Sequence, residues 1–72
     1  MIKVTLSNKK AKHTTQDFLY DFQKNVNRAF PSYKIDCEFA DIEYPYTIDA
    51  YNLNAQMDIS VFIENNSELF FA

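Results

Sequence analysis

The chain has 72 residues, 47% hydrophobic and 17% aromatic, with a formal net charge of −3, one cysteine and no glycine. This composition describes one folded domain, too apolar for disorder and close to the lower size at which chains fold without disulfides or metal. The single Cys37 excludes an intramolecular disulfide and a cysteine zinc cluster, and the lack of glycine excludes Gly-rich phosphate loops and the dinucleotide fingerprint.

In chain order the sequence reads β-α-β-β-β, an α+β domain with one helix packed on a four-stranded, mostly antiparallel sheet. In residues 1–7, Ile2, Val4 and Leu6 alternate with Lys3, Thr5 and Ser7, the period of a half-buried strand. The stretch NKKAKH predicts a basic loop. Thr14 or Thr15 then caps a helix of about 16 residues, with Asp17 spaced for a capping box from Thr14. Phe18, Leu19, Phe22, Val26, Ala29 and Phe30 fall on one stripe of that helix, and Pro31 ends it.

In the second strand Ile35, Cys37 and Phe39 alternate with Asp36 and Glu38, and the parity slips after Phe39. A β-bulge at Ala40–Asp41 would bring Asp36, Glu38, Asp41 and Glu43 to one face; without it the strand ends near Ala40. YTIDAYNL, residues 46–53, reads as a weaker third strand. MDISVFIE, residues 57–64, reads as a fourth, with Met57, Ile59, Val61 and Ile63 inward and Asp58, Ser60, Phe62 and Glu64 outward. A polar break then precedes an apolar tail over residues 67–72. No apolar run approaches the roughly 20 residues that span a bilayer, and the start lacks a signal-peptide core. The expected location is the cytoplasm.

Charge divides the chain. Residues 1–34 carry seven bases (Lys3, Lys9, Lys10, Lys12, Lys24, Arg28, Lys34) against Asp17 and Asp21, a net +5. Residues 35–72 carry eight acids (Asp36, Glu38, Asp41, Glu43, Asp49, Asp58, Glu64, Glu68) and no base, a net −8. Such acids can serve solubility alone. Like charges side by side on a sheet cost stability, however, and a cationic partner would relieve that cost. Tyrosines are enriched in interfaces. The expected partner-binding residues are therefore Asp36, Glu38, Asp41, Glu43, Tyr44, Tyr46, Asp49, Tyr51, Asp58 and Glu64.

Two other readings use different residues. Lys9, Lys10, Lys12, Lys24, Arg28 and Lys34 would serve a nucleic-acid binder, against the negative net charge; an accessory subunit of a larger assembly is the third reading. Catalysis has thin support. His13 sits in the basic loop, and Cys37 follows the apolar parity of its strand, which places it in the core, away from nucleophilic chemistry. No enzyme activity, cofactor or metal is expected. Phe62, Leu69, Phe70 and Phe71 form a candidate homodimer contact, because one helix cannot cover both faces of a sheet.

A short, acidic, glycine-free chain rich in Phe, Tyr, Met, Ile, Asn and Lys resembles the small host-takeover and anti-defence inhibitors of bacteriophages. Some of these are DNA mimics, of the type that blocks the histone-like protein HU. The resemblance rests on size, composition and the acidic residues 35–72. It implies a non-enzymatic inhibitor acting in the host bacterial cytoplasm, binding a basic, DNA-binding host protein through an acidic sheet face.

Overall fold

The structure, a computed structural model, describes residues 2–71; Met1 of the first strand and Ala72 of the tail lie outside the described residues. The elements are β1 (Ile2–Ser7), α1 (Gln16–Ala29), β2 (Ile35–Ala40), β3 (Tyr46–Asp49), α2 (Leu53–Asn65) and α3 (Ser67–Phe70). The class is α+β, as expected, but among the described residues the sheet has three strands and the helices number three.

Sheet order is β2-β1-β3, with β1 parallel to β2 and antiparallel to β3. The expected mostly antiparallel meander is thus replaced by a mixed sheet. The physical reason lies in the connections. A parallel pair needs a long crossover, and the chain between Ser7 and Ile35 supplies one in α1. β2 ends at Ala40 without a bulge, and residues 41–45 carry the chain across to the far side of β1. Asp41 and Glu43 therefore belong to a loop and not to a strand.

The larger correction concerns residues 53–65. The expected fourth strand is the helix α2, begun by Asn52, whose side-chain oxygen accepts from the Ala55 N–H at 2.7 Å. Met57, Ile59, Val61 and Ile63 satisfy the period of a strand. Ala55, Ile59 and Ile63 also satisfy the i, i+4 spacing of a helix, and these three are the fully buried ones. Leu, Ala, Gln and Met over residues 53–57 favour that second pattern. α1 follows its expectation closely: Thr15 is the N-cap, accepting from the Phe18 N–H at 3.2 Å, and Phe22 and Val26 are buried.

One core forms between the sheet and the helices. β1 contributes Ile2, Val4 and Leu6, β2 Ile35, α1 Phe22 and Val26, α2 Ala55, Ile59 and Ile63, and α3 Phe70. At about 1.5–3 kcal/mol for each large side chain removed from water, these residues carry most of the drive to fold. The opposite face of the sheet, with Lys3, Thr5, Asp36, Glu38, Thr47 and Asp49, has no covering layer among the described residues.

The two sheet edges differ. The Ile2 N–H donates to the Lys34 carbonyl and the Asn8 N–H to the Ala40 carbonyl, so Ile35 and Cys37 turn their peptide groups outward. α1 closes this edge with side chains. Asn27 Oδ1 accepts from the Ile35 N–H at 3.0 Å, Asn27 Nδ2 donates to the Ile35 carbonyl at 2.9 Å, and Gln23 Oε1 accepts from the Cys37 N–H at 2.9 Å. Those bonds hold the helix over β2 and blunt an edge that could pair with another chain. Asn27→Ala is expected to destabilise the fold by about 2 kcal/mol, because both Ile35 groups lose their partner. Gln23→Ala should cost about half as much. Urea unfolding monitored by far-ultraviolet circular dichroism measures both; an unchanged midpoint for Asn27→Ala would refute the clamp.

Candidate functional site

α2 carries apolar side chains on two sides. Ala55, Ile59 and Ile63 face the core, while Leu53, Met57 and Val61 form a second i, i+4 row facing solvent, at 67%, 56% and 57% exposure. The row is about 12 Å long. A surface helix ordinarily turns polar residues outward, so a solvent-side apolar row calls for a cover.

The row has an acid on one flank, Asp58, and another in line with it at its C-terminal end, Glu64, and each is tied to a tyrosine. On one side the Tyr33 hydroxyl donates to Asp58 Oδ2 at 2.9 Å, and the exposed Tyr51 meets the Tyr33 ring edge-on with centroids 6.3 Å apart. At the C-terminal end the Tyr46 hydroxyl donates to Glu64 Oε1 at 2.7 Å and shares a hydrogen bond with the Ser60 hydroxyl at 3.0 Å. Glu64 stands in the last turn of α2, where the helix dipole disfavours a carboxylate, and α2 has no basic residue in that turn. The Tyr46 phenol offsets that placement. Hydrogen bonding to Asp58 raises the Tyr33 phenol above its usual range, with lesser contributions from burial and the Asp58 charge. Burial is the leading cause of the same shift at Tyr46, where Glu64 raises and Ser60 lowers.

The acids of β2, β3 and the loop between them fall into two separate patches, each with a lysine. On the open sheet face Lys3 is the cross-strand neighbour of Asp36 on one side and Asp49 on the other. Lys3 Nζ lies 3.4 Å from Glu38 Oε1, and the Thr5 hydroxyl donates to Glu38 Oε2 at 3.4 Å. The sequence argument that no base interleaves these acids fails here, because the central strand comes from the basic half. At the loop end, Lys9 Nζ lies 3.0 Å from Asp41 Oδ1 and 3.9 Å from Glu43 Oε1, with Tyr44 exposed beside them. Buried Ser7 joins those loops: its hydroxyl donates to the Ile42 carbonyl at 3.1 Å and accepts from the Lys9 N–H at 3.2 Å. Of the ten expected partner-binding residues, Tyr46, Tyr51, Asp58 and Glu64 surround the α2 row, and the other six lie in these two patches.

The bases are also divided. β1 and β2 are parallel, so Lys9, Lys10 and Lys12, after β1, sit at the opposite end of the sheet from Lys34, before β2. About 20 Å of strand separates the two groups. Lys12 Nζ donates to the Glu68 carbonyl at 2.9 Å, which binds the basic loop to α3. In the tail, Phe70 enters the core 4.6 Å from the Phe22 ring, and Phe71 pairs with the Ala11 backbone and stacks on Tyr46. Phe62 is half-buried against Phe30, and only Leu69 of the four expected dimer residues is mostly exposed.

Cys37 and His13 show no catalytic arrangement among the described residues. His13 is exposed and lies edge-on to Phe18 at 5.6 Å. Burial, with a smaller contribution from Asp36, pushes the Cys37 thiol from 9.0 up to about 12, which suppresses the thiolate that nucleophilic chemistry requires. A thiol raised by folding stabilises the protein below its unfolded value and loses that contribution as pH climbs through the folded one. Stability should therefore hold up to about pH 9 and then fall by up to about 1.4 kcal/mol per pH unit. In Cys37→Ala the decline should start nearer pH 10, where the raised Tyr33 and Tyr46 phenols act in the same direction. Urea unfolding across pH 7–11 measures this; identical alkaline profiles for both proteins would refute the assignment. In comparisons with known protein families, curated proteins and solved structures, the chain matches none at a significant level.

Proposed function

We propose that the chain is a non-enzymatic binding protein that docks α2 onto a basic partner protein. The observation that carries this reading is the exposed Leu53–Met57–Val61 row beside the carboxylates of Asp58 and Glu64. The apolar row supplies desolvation energy at the centre of a contact, and acids at its rim select a cationic surround. Tyr33, Tyr46 and Tyr51 add broad contact area at low entropic cost. Tyr33 and Tyr46 also hold the two carboxylates in fixed positions, so less ordering is left to be done on binding.

The complementary partner is a helix or groove with aliphatic side chains in a row and lysines or arginines along one side and at one end of that row. A basic nucleic-acid-binding protein of a host bacterium is the target to which the reading extends, with inhibition arising from occupation of its cationic surface. The acids that would imitate a DNA backbone are split among patches that contain Lys3 and Lys9, so the α2 row is the better-supported contact.

A synthetic amphipathic helix with a leucine row and lysine flanks is the direct probe, with a glutamate-flanked version as control. The lysine peptide is expected to bind at about 10 μM and to weaken as salt rises, because exposed charges are screened over about 8 Å at physiological ionic strength. The triple variant Leu53→Ser, Met57→Ser, Val61→Ser should lose about 100-fold in affinity while keeping its unfolding midpoint, since all three side chains are exposed. Asp36→Asn with Glu38→Gln and Asp49→Asn should bind like the parent. Equal binding of both peptides, or loss only in the sheet-face variant, would overturn the reading. Sedimentation equilibrium of the parent at tens of micromolar separates this from self-association: a dimer abolished by the triple variant would make a second copy the occupant.

A further inference from the structure

We propose that the cleft between α1 and the α2–α3 unit is a binding site for a small apolar carboxylate, such as an arylalkanoic acid or the apolar C-terminal residue of a peptide. The cleft has a volume of about 300 Å³, in the lower range of small-molecule sites. Ala29, Phe62, Leu69 and Phe70 line its apolar part, and Asn25, Arg28 and Asn66 bring polar groups to it.

Its origin is in the packing. On the same face of the sheet α1 lies over β2 and α2 beside β3, and aromatic rings span the gap between them. Phe62 meets Phe30 at 5.9 Å, and Phe70 meets Phe22 at 4.6 Å. On α1 the small Ala29 stands where a larger side chain would fill the space. Leu69, 63% exposed, contributes apolar surface that the protomer itself does not cover.

The charge of the ligand follows from the polar groups. Asn25 and Arg28 are three residues apart and so share one side of α1. Neither makes a side-chain hydrogen bond or ion pair among the described residues. Among the described residues no acid lines the cleft, and Arg28 is its one charged residue. A single guanidinium therefore sets the sign of the charge at the hollow. A guanidinium beside an apolar hollow recognises a carboxylate through paired N–H donors, while Phe62 and Phe70 receive the body attached to it.

The test uses 3-phenylpropionate, its neutral amide and its cationic counterpart 3-phenylpropylamine, with amide chemical shifts recorded on the intact chain. The carboxylate is expected to bind saturably with Kd of about 1 mM, shifting residues 25–30 and 62–70. The amide and amine should bind about tenfold more weakly or not at all, a difference typical of a charge-assisted contact. Arg28→Gln should erase the preference for the carboxylate, and Ala29→Leu should abolish all binding by filling the hollow. A short peptide ending in Phe, with a free or an amidated C-terminus, distinguishes the two ligand sources: tighter binding of the free peptide than of 3-phenylpropionate assigns the site to a chain terminus, and the reverse order to a free acid. No saturable shift, equal binding of acid and amide, or an unaltered preference in Arg28→Gln would overturn the proposal.

Discussion

Everything in this fold hangs on β1 as the central strand. Ile2, Val4 and Leu6 are wholly buried beneath both long helices, and the strand supplies the pairing partner for β2 and for β3. Six residues thus anchor two sheet neighbours and one core. The same strand brings the basic half of the chain into the acidic half. Lys3 sits between Asp36 and Asp49 because β1 sits between β2 and β3; a strand order of β1-β2-β3 would have kept Lys3 beside Asp36 and left Asp49 without a cation. Charge separation along the sequence becomes charge mixing on the sheet.

What mixing leaves behind is informative. Among the described residues no base pairs with Asp58 or Glu64 on α2, and these acids stand beside exposed aliphatic side chains. Phenols hold them, and a phenol donates a hydrogen bond to a carboxylate without cancelling its charge. The molecule therefore keeps negative charge in fixed positions around one apolar row, while Lys3 and Lys9 offset part of the charge of the three sheet-face acids and the two loop acids.

Much of the architecture was legible in the sequence. The alternation through Leu6 marks β1 and the stripe from Phe18 to Phe30 marks α1, while the parity change after Phe39 left open either a bulge at Ala40–Asp41 or an end to β2 near Ala40, and β2 ends there. α2 was not legible, for a reason that bears on function. Its apolar residues lie on two sides, so Met57, Ile59, Val61 and Ile63 imitate the alternation of a strand. A helix with a conventional polar outer side would have shown an unbroken i, i+3, i+4 pattern. The residues that caused the misreading, Met57 and Val61, are those at the proposed contact. Asn52 as a cap, with Ala55, Ile59 and Ile63 one turn apart, was the signal that could have placed them. Sheet order was hidden for another reason: nothing local in residues 41–45 tells which side of β1 the next strand will take.

Because β1 comes first in the chain and pairs only with later strands, no sheet contact is local. Ile2 pairs with Ile35, and the nearest partner on β3 is Tyr46, opposite Leu6. Every pairing therefore closes a loop of at least 33 residues, nearly half of the chain. There is no β-hairpin in this sheet to persist by itself, and a piece cut anywhere between Ser7 and Ile35 separates β1 from both of its neighbours. In contact-order terms the domain is all long-range in its sheet, with local order confined to the helices. It can be assembled as a whole, and it has no smaller folding unit to fall back on.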